Sequence, residues 1–133
     1  MSLLPGAWWQ QLGLVMLGGA LGASLRFIIG DALLRQFGTG FPWGTLTVNL
    51  IGAFAVGYVM MWLQTKGAAA PYWRAFIIVG IIGGLTTFSS MMLEAVLLVR
   101  NGHGWVMPVY LVVSLLAGFV LVWHGARVAE SSA

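Results

Sequence analysis

The chain has 133 residues, 60% of them hydrophobic and only 7% charged, with a mean hydropathy of +0.96. A soluble domain carries about 25% charged residues, so this composition excludes a water-soluble globule and makes lipid the solvent. The six Lys/Arg and three Asp/Glu are scattered singly, which argues against nucleic acid as a partner, and zero cysteines exclude disulfides, thiol catalysis and thiolate metal sites.

A bilayer core of about 30 Å needs roughly 20 mostly apolar helical residues. Four runs meet that length, at residues 8–29, 43–63, 73–99 and 105–123. The connectors "GDALLRQFGTGFP", "QTKGAAAPY" and "RNGHG" carry the Gly, Pro and charged residues of turns at a membrane surface. The reading is an all-α membrane protein, with residues 1–133 forming a single four-helix transmembrane domain. All seven tryptophans, Trp8, Trp9, Trp43, Trp62, Trp73, Trp105 and Trp123, fall at or near span ends, as an aromatic belt requires.

In the first span no Lys or Arg precedes the apolar run, so it reads as a retained span and not a cleaved leader. Gly18 and Gly22 stand at the spacing of a close helix contact. Arg26, in "GGALGASLRF", either snorkels to anchor the helix or raises anion concentration at a pore mouth. The second span carries Thr45, Thr47 and Asn49. The threonines are expected to satisfy their hydroxyls on their own helix. Asn49 offers two donors and an acceptor, and must either bond across a helix interface or turn its amide to a wet path.

The third span holds "GGLTTFSSMMLE", residues 83–94. Gly80, Gly83 and Gly84, followed at once by the β-branched Thr86 and Thr87, predict a break in the helix. Broken backbone at membrane depth is tolerated where it is buried in protein, lines water or binds an ion, and freed carbonyls suit a small cation such as Na⁺ or K⁺. Thr86, Ser90 and Glu94 stand at i, i+4 and i+8, a polar stripe on a resumed helix, with Phe88 and Met91 as an apolar stripe beside it. In the fourth span Tyr110 and Ser114 are one turn apart, and Ser114 and Gly118 again have close-packing spacing.

The hydroxyls of Thr87, Ser89, Ser90, Tyr110 and Ser114, with the Asn49 amide, are hydrogen-bond donors, and the Phe88 ring has a positive edge. Such a set favours a small, strongly hydrated anion whose lost water must be replaced. An ionised Glu94 would repel that anion, so it must be neutral, hydrogen-bonded away or near the exit. His103 and His124 belong to no cluster with ligand spacing and no phosphate-cradling motif occurs, so an enzyme is not expected.

Both termini of a four-span chain lie on one side. Lys66, Arg74 and Arg127 fall on that side, and Arg35 and Arg100 on the other. Three against two is nearly balanced, and Lys/Arg bias sets orientation. Insertion either way up, and pairing with an inverted copy, is therefore open to this chain.

At "GGALGASLRF", "WGTLTVNLIGAF", "GGLTTFSSMMLE" and "YLVVSLLAG" the sequence resembles the Fluc (CrcB) fluoride channel family, in the family's order and through all four spans. The resemblance implies an antiparallel, dual-topology homodimer in the cell (inner) membrane, with two pores that passively export fluoride. It also implies a structural Na⁺ at the dimer centre, held by main-chain carbonyls placed by motif position at Gly83 and Thr86. Asn49, Phe88, Ser89, Ser90, Tyr110, Ser114, Glu94 and Arg26 each match a polar, aromatic or charged position of the family motifs. The departure is "FSSMM", where the family runs Phe-Ser-Thr-Phe-Ser: Met91 replaces the second pore phenylalanine and Met92 a track hydroxyl. A thioether is a weak acceptor with no aromatic edge, though Met91 still keeps a pore narrow and dry. Two other readings stand beside this one. A small proton-coupled multidrug exporter would use Glu94 as its exchanging carboxylate; in a non-transporting assembly subunit, Asn49 and the broken third span would serve packing alone.

Overall fold

The computed structural model describes residues 8–133. They form α1 (Trp8–Phe37), α2 (Trp43–Leu63), α3 (residues 70–85), α4 (Phe88–Arg100) and α5 (Val106–Ser131). Four stretches are long and apolar enough to cross a membrane: α1, α2, the third span Gly67–Arg100 and α5. The first and last helices outrun the expected spans, because "DALLRQ" and the segment after Trp123 remain good helix formers once they leave lipid. Asp31 and Arg35 add an exposed i,i+4 pair at 2.9 Å on that extension of α1. Gly38 then ends the helix with φ +73°, its N–H donating to Leu34 O at 2.8 Å, a left-handed cap that glycine adopts without strain.

The third span is the irregular one. It opens with a 3₁₀ turn at Gly67–Ala69, has Pro71 in the first α-helical turn, and widens over Arg74–Ile82 into a π-helix. Gly83 N–H accordingly reaches Ile78 O, five residues back. One further α-turn, Gly83–Leu85, precedes two extended residues: Thr86 at φ −88°, ψ 154° and Thr87 at φ −152°, ψ 123°. The break thus falls on the two threonines and not on the glycines, which are all helical.

The glycines instead let helices touch. A Cβ on Gly18 would collide with Phe76 O, and one on Gly22 with Ile81 O; across the same seam a Cβ on Gly84 would come 2.6 Å from Gly19 O. α1 and α3 therefore pack backbone to backbone, which the Gly18/Gly22 spacing anticipated. Gly57 of α2 meets Val122 O of α5, and Gly125 of α5 meets Phe54 O of α2, in the same manner. Gly118 is different: among the described residues nothing lies within 4 Å of its Cβ position, so Ser114 and Gly118 mark no close contact there.

The buried core joins α2, α4 and α5 through Leu46, Met91, Leu98, Val106 and Tyr110. Outside it the helices present large apolar side chains, Phe27, Leu115 and Phe119 among them, to their surroundings. Such a surface requires lipid or another apolar protein face.

Candidate functional site

A continuous helix would carry the Thr87 N–H to the Gly83 carbonyl and the Ser90 N–H to the Thr86 carbonyl. Here Thr87 N–H donates instead to Asn49 Oδ1 at 2.8 Å, while Asn49 Nδ2 donates to Thr87 O at 3.1 Å. Asn49 thus clasps one residue of the break from both sides, and its side chain stands in for a strand partner. Ser90 N–H turns back to Thr87 Oγ1 at 3.1 Å, so Thr87 is the N-cap of α4. The Gly83 and Thr86 carbonyls thereby lose their helical donors.

A further carbonyl of that turn is held by a charge. Arg26 Nε, from α1, donates to Gly84 O at 3.0 Å. Neither reading for Arg26 foresaw this bond, by which the guanidinium ties α1 to the last turn before the break. Thr86 Oγ1 bonds its own Ile82 O at 2.9 Å. Thr86 therefore belongs to α3 and cannot share a stripe with Ser90 and Glu94, since the extended pair interrupts the helical register.

One turn above Asn49 on α2, Thr45 Oγ1 donates to Glu94 Oε1 at 2.6 Å, and Tyr110 OH of α5 donates to Glu94 Oε2 at 2.9 Å. Three helices meet on this carboxylate. Thr45 was expected to bond its own helix, and the cross-helix partner corrects that. In the α2 sequence only the i,i+4 spacing from Asn49 distinguishes Thr45 from Thr47. Tyr110 is fully buried, at 0% exposure, and Ser114 Oγ bonds Tyr110 O at 2.7 Å. Ser114 is satisfied on its own helix, and Asn49 across an interface.

The Phe88 and Met91 pair divides. Phe88 is 70% exposed, whereas Met91 is 7% exposed in the core against Tyr110. Ser89 is also exposed, 3.4 Å from Thr87 Oγ1 through its own hydroxyl, and Ser90 is part-buried. A depression of about 420 Å³ is bordered by Asn49, Gly83, Thr86, Thr87, Phe88 and Met91. A larger cleft of about 570 Å³ opens beyond the carboxylate, with Thr45 and Glu94 among its lining, the α1–α2 connection on one side and His103 on another. Most of the sequence-selected polar residues are thus strung along α2, α4 and α5, from the break to Glu94.

Four apolar spans, the third broken at mid-course with polar groups gathered on the break, define a multi-pass membrane protein. Residues 13–126 match the family model described as CrcB-like protein, Camphor Resistance (CrcB). The chain belongs to the CrcB family. It is 55% identical over 120 residues to a fluoride-specific ion channel FluC of Xylella fastidiosa, covering 90% of this chain and 84% of that protein. To the protein of that name from Xanthomonas euvesicatoria it is 54% identical over 123 residues, 92% of each chain. A more distant relative so named, from Solibacter usitatus, is 40% identical over 117 residues, covering 88% of this chain and 96% of its own. These relatives are named as channels and not as catalysts, and they lend no support to the proton-coupled exporter.

Proposed function

We propose that this chain is a passive, fluoride-selective channel that exports fluoride across the cell membrane, working as an antiparallel, dual-topology homodimer with two pores. What carries the reading is the placement of polar and aromatic groups around the break in a chain whose relatives are named fluoride channels. The hydroxyls of Thr87, Ser89 and Ser90, the edge of Phe88 and the tethered Asn49 sit beside Met91 at mid-span. Beyond them Glu94, bonded by the buried Tyr110 with Ser114 one turn on, borders the larger cleft. Fluoride enters this track by exchanging water for OH and NH hydrogen bonds and for the Phe88 ring edge. Glu94, holding two donors already, marks the track's end, where its charge opposes the anion least.

An exposed Phe88 and Ser89 leave half of such a pathway unwalled on a single chain, and a second copy supplies the other half. The near balance of basic residues between the two sides supports inverted pairing. Gly83 and Thr86 fit a Na⁺ at the centre of the pair, because their carbonyls have lost their helical donors and carbonyl oxygen is a hard ligand. When bound, the ion would supply fixed positive charge between the two copies. The lipid bilayer is the solvent of the remaining surface.

Fluoride efflux from proteoliposomes tests the proposal. Release that follows a potassium ionophore, without chloride release, supports it. Proton-driven movement of an organic cation, or no flux at all, overturns it. Replacing Na⁺ with a large organic cation during purification is expected to weaken the dimer on gel filtration.

A further inference from the structure

The larger cleft has a composition that fluoride does not explain. Its walls are apolar and aromatic, from Leu34, Phe41, Trp43 and Leu97 among others, and its one acidic lining residue is Glu94. Among the described residues no Lys or Arg lines it. The rings of Phe41 and Trp43 lie 4.7 Å apart, and Phe41 stands edge-on to Tyr110 at 5.5 Å. Tyr110 OH in turn bonds Glu94. An aromatic wall is thus joined directly to a carboxylate. The one other ionisable side chain in the lining is His103, and Asp31 and Arg35, on α1, pair with each other.

We infer that this cleft binds small aromatic organic cations, ammonium or guanidinium, which plug the chain at the Glu94 end. Ring faces attract a cation within about 6 Å of their centroids, and a carboxylate offers roughly four acceptor positions, of which Thr45 and Tyr110 occupy two. The volume of about 570 Å³ is sufficient for a single-ring ligand. The carboxylate repels an anion. The charge complementarity therefore selects a ligand of opposite sign to the transported ion. Binding stands on this cleft alone; the blocking consequence rests on the fluoride pathway proposed above.

The probe is benzyltrimethylammonium, which is charged at every pH, titrated calorimetrically into the purified full-length protein, with benzyl alcohol as the neutral control. Saturable binding of the cation alone is expected, weakened at least tenfold by Glu94→Gln. Leu34→Trp, which fills the cleft from its wall and leaves the carboxylate in place, is expected to weaken it similarly while the gel-filtration profile stays unchanged. It decides the matter should Glu94→Gln not fold. Absence of saturable binding, equal binding of the neutral control, or full binding by a folded variant overturns the inference. In proteoliposomes the external cation should slow fluoride efflux from wild type and not from Leu34→Trp. Binding by a protein that conducts no fluoride would sink the channel reading and leave the cleft assignment standing.

Discussion

Replacing Asn49 with leucine, which has nearly the same volume, removes only the polar groups that clasp Thr87. Two hydrogen bonds are lost, at 2.8 and 3.1 Å, and both main-chain groups of Thr87 are stranded. Each net bond is worth about 0.5–1.5 kcal/mol in water-soluble proteins, and about 0.6 kcal/mol on average between membrane helices. The sum, about 1–3 kcal/mol, acts on the break and not on the rest of the fold. At about 1.4 kcal/mol per tenfold, the break should open roughly 5- to 150-fold more often. Hydrogen exchange of the peptide containing Thr87 measures this directly, with Thr47→Val as the control, since no hydrogen bond beyond its own helix depends on that residue. Asn49→Asp keeps the acceptor for Thr87 N–H but sets a carboxylate oxygen against Thr87 O, and fluoride flux should vanish. Exchange in Asn49→Leu within twofold of wild type would refute the clasp.

Gly22→Ala drives a methyl into Ile81 O and should cost about 1–3 kcal/mol or more in thermal stability, whereas Gly118→Ala, with open space at that position, should be neutral or stabilising. Thr45→Val and Tyr110→Phe each remove one donor to Glu94; a double-mutant cycle on thermal stability should show coupling of about 0.5 kcal/mol or more, because both act on one carboxylate. Phe88→Ile should abolish fluoride flux and leave the helical content of the chain unchanged, as expected of a 70% exposed side chain. Met91→Phe enlarges a side chain packed against Tyr110 and should lower the melting temperature by the equivalent of about 1–3 kcal/mol.

The four spans were legible because a length of apolar sequence maps directly onto membrane thickness, and the ends of α2 coincide with the expected ones. Where α1 and α5 stop was not legible, since a helix has no need to end where lipid does; Gly38 ended α1 through its positive φ. The break in the third span falls inside the expected stretch, on its threonines and not on its glycines. Glycine serves both as a breaker and as a small residue for backbone contact, and only the neighbouring helix decides which. Here Gly18, Gly19 and Gly22 were waiting opposite. Thr86 and Thr87 break the helix because Asn49 offers the backbone of Thr87 a better partner, which no local pattern encodes. The same limit hid Thr45, whose hydroxyl has a choice between its own helix and Glu94 that depends on the packing of α2 against α4. The hydroxyls, the asparagine and the carboxylate were each visible as costly residues in a greasy span, and their partners were not.

The central claim is that a dehydrated fluoride ion crosses the bilayer through this chain, drawn by hydrogen-bond donors and driven only by its own gradient. The direct measurement is fluoride efflux from liposomes holding the purified protein and potassium fluoride, followed with a fluoride electrode after valinomycin is added. The account predicts release that begins only when potassium can leave, with trapped chloride retained in parallel vesicles. Fluoride that stays inside after the ionophore, or chloride that leaves equally fast, would contradict it.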